Sequence, residues 1–354
     1  MSSQPKDNMS KRPTSTRMTD MDWGLIGHAW AVDLLQRQLA RGSAHHAYLI
    51  TGPEGVGRVR LAVAFAQAIL CEAPPQPGDR CGACRACRQI IGRNYPDLHW
   101  IERPEDKQGI TIEQVRELQR QLSLSSLMGG GRVAILVGLE NASEGAANAL
   151  LKTLEEPARR VTLLLTASDV EEVPPTIASR CEVLALRPVP QAEIAAALEA
   201  RGESPSTARD VAGLANGRPE LALQMLADSA LHGRRLGYAS QWKEALELGL
   251  AGRFALADEW KDDEHLEERL GVWLIQLGGE LRSASQSPGG ESSAQGPHRR
   301  DSAQVRQTLE AILRTLAALR RNANTRLALE TLMLDLPSPN QTASAKPARR
   351  AVAG

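Results

Sequence analysis

The segment Ala47-Tyr48-Leu49-Ile50-Thr51 is apolar almost throughout and runs into Gly52-Pro53-Glu54-Gly55-Val56-Gly57-Arg58-Val59. A strand without polar alternation is buried on both faces, which places it inside a mostly parallel sheet. The glycines then turn the chain sharply, and apolar residues at helical spacing resume from Leu61 to about Leu70. Strand, glycine loop and helix in that order form the scaffold of a phosphate-binding loop, in which backbone N–H groups and a helix N-terminus face an anion.

The same alternation continues. Arg132 to Val137 reads as a strand, followed by a helix capped by Ser143 and stopped at Pro157, with Ala147, Leu150, Leu151 and Leu154 on one face. Val161 to Thr166 and Val183 to Leu186 supply two further strands. Ile26, Ala31, Leu34, Leu35 and Leu39 suggest an amphipathic helix starting near Trp23. Residues 23–188 are therefore expected to form an α/β domain with a parallel sheet covered on both faces. Beyond Pro188 and Pro190 the strand signal stops. Residues 189–230 read as short helices broken at Gly213 and Gly217, and 231–336 as longer ones interrupted by a flexible Ser-, Gly- and Pro-rich loop at 284–302. The polar ends, 1–22 and 337–354, carry no apolar period and are expected to be disordered. Aromatic residues make up only 3% of the chain, so the core is expected to rest on Leu, Ala, Val and Ile.

The loop has the glycine frame of a nucleotide site but not its chemistry. Arg58 stands where a lysine reaches the terminal phosphates, and its planar fork needs different space and angles. Val59 replaces the hydroxyl that holds Mg²⁺. Gly138-Leu139, after the Arg132–Val137 strand, occupies the place of the acidic pair that binds metal and polarises water. Glu140 lies one residue beyond and reaches that place only by a register slip. Three losses together point to a loop (Gly52, Gly55, Gly57, Arg58, Val59) kept for structure, with ATP neither bound nor hydrolysed.

Four of the five cysteines, Cys71, Cys81, Cys84 and Cys87, follow C-x9-C-x2-C-x2-C. Clustered and odd in total, they read as metal ligands in a reducing cytosol, not as a disulfide framework. Four thiolates with two C-x2-C steps fit a closed, structural Zn²⁺ site. Arg80, Arg85 and Arg88 are interleaved and help offset its negative charge. An iron–sulfur cluster would place a further cysteine and a proline just downstream, and neither is present; four buried free thiols are the weaker alternative at this density. Cys181 reads as a small apolar residue entering a strand. His45 and His46 are adjacent on an extended segment, so they should point to opposite faces and share no metal.

With 42 basic and 42 acidic residues, the chain does not coat nucleic acid by bulk charge. No apolar run approaches the roughly 20 residues of a membrane span, and no signal-peptide core is visible; the expectation is a cytoplasmic protein without a membrane partner.

Four features occur in one order: the cysteines after the phosphate loop, Asn148-Ala149-Leu150-Leu151-Lys152-Thr153-Leu154-Glu155-Glu156-Pro157, then Ser179-Arg180-Cys181, then an all-helical C-terminal part. Together they resemble the delta-prime family of bacterial DNA polymerase III clamp-loader subunits, of the AAA+ class, from about Trp23 to Leu336. The resemblance implies an AAA+ α/β domain (23–188) with an inserted zinc module (71–87), a helical lid (189–230) and a helical collar (231–336). It implies a non-hydrolysing stator with no active site of its own, part of a DNA-directed DNA polymerase holoenzyme. Its partners would be the tau/gamma motor subunits, delta, the sliding clamp and, through the complex, primed DNA, and the whole would be nucleoid-associated through the replisome. Arg180 would act as an arginine finger in trans on ATP held by a neighbouring motor subunit. Glu220, in Gly217-Arg218-Pro219-Glu220, stands where the motor subunits carry a lid arginine. The alternatives are an ATP-hydrolysing motor subunit and a stand-alone zinc-dependent nucleic-acid binding module.

Overall fold

The computed structural model describes residues 23–285 and 302–337. The expected tails 1–22 and 337–354 and the loop 284–302 lie almost wholly outside these residues. The chain divides into two compact units, the first ending at Ala222 and the second beginning at Leu223.

The first unit is built on helices α1 (Ala29–Ala40), α2 (Arg58–Leu70), α3 (Arg85–Ile91), α4 (Ile112–Ser123), α5 (Glu144–Glu155), α6 (Pro175–Ala178), α7 (Gln191–Glu199) and α8 (Pro205–Ala215), with α9 (Pro219–Ala227) crossing its end. Its strands are β1 (Ala47–Thr51), β2 (Leu98–Ile101), β3 (Arg132–Leu136), β4 (Val161–Ala167) and β5 (Glu182–Ala185). They form one sheet in the order β2-β3-β4-β1-β5, parallel throughout, with Ala47 opposite Leu163 and Tyr48 opposite Glu182. This is the parallel α/β arrangement expected. Side chains alternate between the faces as strand geometry requires. Tyr48, Ile50, Val133, Ile135 and Leu164 pack with α1, α2 and α3, whereas Leu49, Ala134, Leu136, Leu163 and Leu165 pack with α4, α5 and α6.

Caps fix the helix starts. The Ser143 hydroxyl accepts from the Ala146 N–H, as expected for α5. At α4, Thr111 and Gln114 exchange side-chain and backbone bonds in a capping box. Gly213 does not break a helix. It lies within α8, which ends at Asn216 in the left-handed region, a position that asparagine tolerates.

The second unit contains α10 (Ser229–Glu247), α11 (Leu250–Glu259), α12 (Leu266–Ser285), α13 (Ser302–Arg320) and α14 (Thr325–Asp335). Its core departs from the aliphatic expectation. Trp273 lies 5.1 Å from Trp242 and 5.5 Å from Trp260 between ring centroids, surrounded by Leu270, Leu277, Ile312, Leu329, Leu332 and Met333. Few aromatics still dominate a small core when three are placed together, because each buries so much surface. Arg253 is fully buried and donates to the carbonyls of Ala245, Leu246, Met333, Leu336 and Pro337, satisfying the C-terminal ends of α10 and α14. Among the described residues no helix is long and apolar enough to cross a membrane.

Candidate functional site

The phosphate loop joins the C-terminal end of β1 to Gly57, the residue that precedes α2. Val56 points into the core beneath it, and the ring Nε2 of His28 lies 3.1 Å from the Val56 carbonyl oxygen. Burial lowers the His28 pKa, so the ring is neutral and donates there. Two glycines are required by packing. At Gly52 (φ +141°) a Cβ would stand 2.5 Å from the Leu186 carbonyl oxygen, and at Gly55 (φ +77°) one would meet the Cβ atoms of Arg218 and Leu221 at 3.3 and 3.4 Å. The start of α9 therefore sits on the loop, with the Glu220 N–H donating to the Gly55 carbonyl at 2.9 Å and the Glu220 carboxylate paired with Arg60.

The altered positions have other partners. Arg58 Nη1 is 3.9 Å from Glu140 Oε1, both side chains largely buried. Glu140 Oε1 also accepts from the Ser168 hydroxyl at 3.0 Å. Glu140 does reach the loop, as only a register slip in sequence would have suggested, because a short 3-10 turn (Leu139–Asn141) rotates it there. Leu139 is buried in the core, while the Gly138 N–H donates to the Thr166 hydroxyl at 3.1 Å. Val59, Gly138 and Leu139 offer no side-chain atom to a metal. Glu140, the nearest carboxylate, faces a guanidinium instead.

Cys71, at the C-terminal end of α2, and Cys81, Cys84 and Cys87, around the start of α3, converge with all four sulfurs within 4.8 Å of one another. The Sγ atoms of Cys71 and Cys84 are 4.0 Å apart, those of Cys81 and Cys87 4.0 Å, and those of Cys71 and Cys87 3.8 Å. A tetrahedron with Zn–S bonds of about 2.3 Å has edges of about 3.8 Å, so the donor set fits a closed tetrathiolate site. Backbone N–H groups of Cys81, Cys84 and Cys87 point at the sulfurs of Cys71, Cys81 and Cys84 at 3.3, 3.2 and 3.4 Å. Donation of this kind favours thiolate. The amides of Ala83 and Cys84 bring the Cys81 thiol down to about 6, whereas burial pushes Cys87 up. The cluster could hold zinc, and all four ligand positions belong to the chain.

Cys181 stays apart from these sulfurs. It packs against the core, where burial pushes its thiol up to about 12, the wrong direction for a nucleophile. His45 and His46 correct the expectation of opposite faces, since their ring centroids are 4.4 Å apart. The chain bends there before β1 begins, so strand alternation does not apply. Each ring has a backbone partner, Ala47 O at 2.9 Å from His45 and Leu154 O at 3.0 Å from His46, and neither belongs to the cysteine cluster.

Arg180 occupies the turn between α6 and the edge strand β5. Its Nη2 donates to Glu155 Oε1 at 2.6 Å and its Nη1 to the Thr176 carbonyl at 2.8 Å, with both side chains of the ion pair partly solvent-exposed. Because β5 runs parallel to β1, Arg180 lies at the N-terminal edge of the sheet and Arg58 beyond its C-terminal edge. About four residues at 3.3 Å each separate those edges, roughly 13 Å of strand. Ser168 and Gln67 escaped the sequence reading, since a lone polar residue on a helix or at a strand end carries no periodic signal, and Glu155 was read only as part of the Asn148–Pro157 string, not as a partner of Arg180.

Residues 27–190 match the family model described as DNA polymerase III, delta subunit. The DNA polymerase III subunit delta' of Pseudomonas aeruginosa is 34% identical over 262 residues, covering 71% of this chain and 78% of that one. The delta' subunit of Bacillus subtilis is 28% identical over 247 residues, 68% of this chain and 73% of its own. The tau subunit of Bacillus subtilis is 31% identical over 158 residues, 45% of this chain and 27% of its own. The chain belongs to the delta' family of DNA polymerase III subunits.

Proposed function

We propose that this protein is the non-hydrolysing stator of a bacterial clamp loader. It would assemble in the cytoplasm with tau/gamma motor subunits and delta, and help place the sliding clamp on primed DNA during replication. The observation that carries the reading is the state of the phosphate loop. Arg58 is engaged by Glu140, the positions of the metal hydroxyl and acidic pair are Val59, Gly138 and Leu139, and the lid segment at Glu220 rests on Gly55. A loop so occupied supports packing rather than nucleotide turnover.

Arg180 is the residue we assign to catalysis, as an arginine finger for ATP bound by a neighbouring motor subunit. Two features support the assignment. Its guanidinium is partly exposed and held by an ion pair of a kind worth only about 0.2–1 kcal/mol, so it can be redirected cheaply. It also sits at the opposite edge of the sheet from its own phosphate loop, so any nucleotide it serves belongs to another subunit. A guanidinium at a transferring phosphoryl group stabilises the charge spread over its oxygens. The four cysteines would hold Zn²⁺ in a closed structural site. Residues 189–230 would act as the lid and 231–336 as the ring-closing collar. In the latter, Leu329, Leu332 and Met333 fill the core, while Leu327 and Leu334 stay exposed and free to meet a neighbour.

The test is reconstitution with tau/gamma, delta, clamp and primed DNA, comparing wild type with Arg180→Ala. The reading requires that loading depend on this chain and that ATP turnover fall at least tenfold in the mutant while the complex still assembles. Turnover equal to wild type would leave Arg180 a surface residue and the subunit a spacer.

A further inference from the structure

We propose that Arg80 is the counter-charge of the four-cysteine centre and that, together with Asp79, it couples metal occupancy to the seating of Trp23 on the phosphate-loop helix. This rests on the reading that the centre holds zinc.

A divalent cation bound by four thiolates carries a net charge of −2, and backbone N–H donors offset that only in part. Of the three arginines interleaved with the cysteines, Arg85 and Arg88 are exposed on α3. Arg80 alone is partly buried, one residue before Cys81, with its Nη1 3.8 Å from where a Cβ on Gly82 would stand. Its Nη1 donates to Gln67 Oε1 at 2.8 Å, and buried Gln67 donates in turn to the Cys87 carbonyl at 2.7 Å. Of the three nitrogens of this guanidinium, the buried Nε is the one without a hydrogen-bond partner, leaving a donor available next to Cys81 in the chain.

The other end of Arg80 reaches out of the cysteine module. Its Nη2 donates to the Trp23 carbonyl. Asp79 Oδ1 accepts from the Trp23 indole N–H at 2.9 Å and from the Arg80 N–H at 2.7 Å. Trp23 is thus gripped at both ends by consecutive residues that immediately precede Cys81. Its ring stacks on Phe65 of α2, centroids 6.2 Å apart, and α2 begins at Arg58. Loss of the metal removes the charge that draws Arg80 inward and the ligand bond that fixes Cys81, and both holds on Trp23 loosen with them.

The experiment uses the full chain. Zinc affinity is measured by competition with a chromogenic chelator, and amide hydrogen exchange is followed by mass spectrometry over residues 23–28, with β3 and β4 as internal reference. Arg80→Met keeps length without charge, and Arg80→Lys keeps charge without the fork. Arg80→Met is expected to weaken zinc about 10- to 100-fold, the range for an outer-shell partner, and to speed exchange at 23–28. Arg80→Lys should restore affinity to within a few-fold while exchange at 23–28 stays fast, since one ammonium cannot bond both Gln67 and Trp23. Wild-type affinity in Arg80→Met overturns the proposal. If Arg80→Met does not fold, chelation of the wild type decides: exchange must accelerate at 23–28 and not in β3 or β4, and unchanged exchange at 23–28 refutes the coupling. A wild-type chain that takes up no zinc overturns the metal reading, and this inference with it.

Discussion

Arg58→Lys with Val59→Thr restores the two phosphate-loop residues that the family's motor subunits carry, and we expect the double variant to show no ATP turnover. The magnitudes separate two obstacles. The first is the start of α9 over the loop: admitting a nucleotide breaks the Glu220–Gly55 hydrogen bond, about 1 kcal/mol net, and the partly exposed Arg60–Glu220 pair, about 0.2–1 kcal/mol. Together these come to about 1–2 kcal/mol, a penalty of roughly 5- to 30-fold in affinity. That is small beside the overall span of protein–nucleotide affinities, so these contacts alone do not silence the site. The second obstacle is the metal. The new hydroxyl at 59 has no carboxylate opposite, since Gly138 and Leu139 supply none and Glu140 is turned toward residue 58. Glu220→Ala keeps the backbone N–H bonded to Gly55 and removes only the Arg60 pair, so adding it to the double variant should improve nucleotide binding by no more than about fivefold and leave turnover at background. Fluorescent-nucleotide anisotropy reads the first quantity and phosphate release the second. Turnover above background in the double variant would refute the reasoning and assign Glu140 to the metal.

Four further outcomes are expected. Serine at both Cys84 and Cys87 should abolish zinc content by elemental analysis and open Arg80, Arg85 and Arg88 to trypsin while the sheet persists; loss of fully buried Ile90, about 1.5–3 kcal/mol, lowers the melting midpoint of the first unit by about 3–12 °C. Glu155→Gln removes an exposed partner of Arg180, so the midpoint should barely move, and turnover of the reconstituted complex should rise by at most about fivefold; a fall as deep as that of Arg180→Ala would show that Glu155 aims the guanidinium. Asp97 is pushed up by burial, but this is outweighed by donors from Leu127, Met128 and Ser126 and by Arg132, and its pKa lies below the ordinary 3.8. Its contribution is complete above that value and lost as pH falls through the lower folded one, so acid loosening of residues 126–128, read by hydrogen exchange, should be absent in Asp97→Asn, where the loop is already loose at neutral pH. Leu150→Ala, at a fully buried position of α5, should cost about 2–5 kcal/mol by denaturant titration.

The sheet was legible where its strands are long and apolar. β1 matches the expected Ala47–Thr51, β3 and β4 differ by one residue at their C-terminal end, and β5 is shifted by one residue at both ends. β2 was not, because Leu98-His99-Trp100-Ile101 is short, lies on the sheet edge and interleaves polar atoms with no glycine to mark its ends. α4 was missed although Thr111 and Gln114 spell out a capping box, the signal that finds it. The convergence of Cys71, Cys81, Cys84 and Cys87 was legible from their spacing, since metal sites tie ligand type to sequence interval. The network of Trp23, Asp79, Arg80 and Gln67 was not, because its partners lie up to 57 positions apart and only folding brings them together.

The phosphate loop shows why a motif survives the loss of its chemistry. Its glycines are commonly read as room for phosphate, yet in this chain two of the three have a second reason to lack a Cβ: Gly52 faces the Leu186 carbonyl, and Gly55 carries the backbone at the start of α9. Val56 meanwhile plugs the core beneath them. Substitution at Gly52 or Gly55 disturbs the joint between β1, α2 and the start of α9 whether or not a nucleotide is ever present. Arg58 and Val59, both only partly buried, sit at positions that this joint does not constrain, so they can change while the frame stays. The glycine frame alone therefore reports the fold, and the residues at 58, 59, 138 and 139 are what the proposed stator reading rests on.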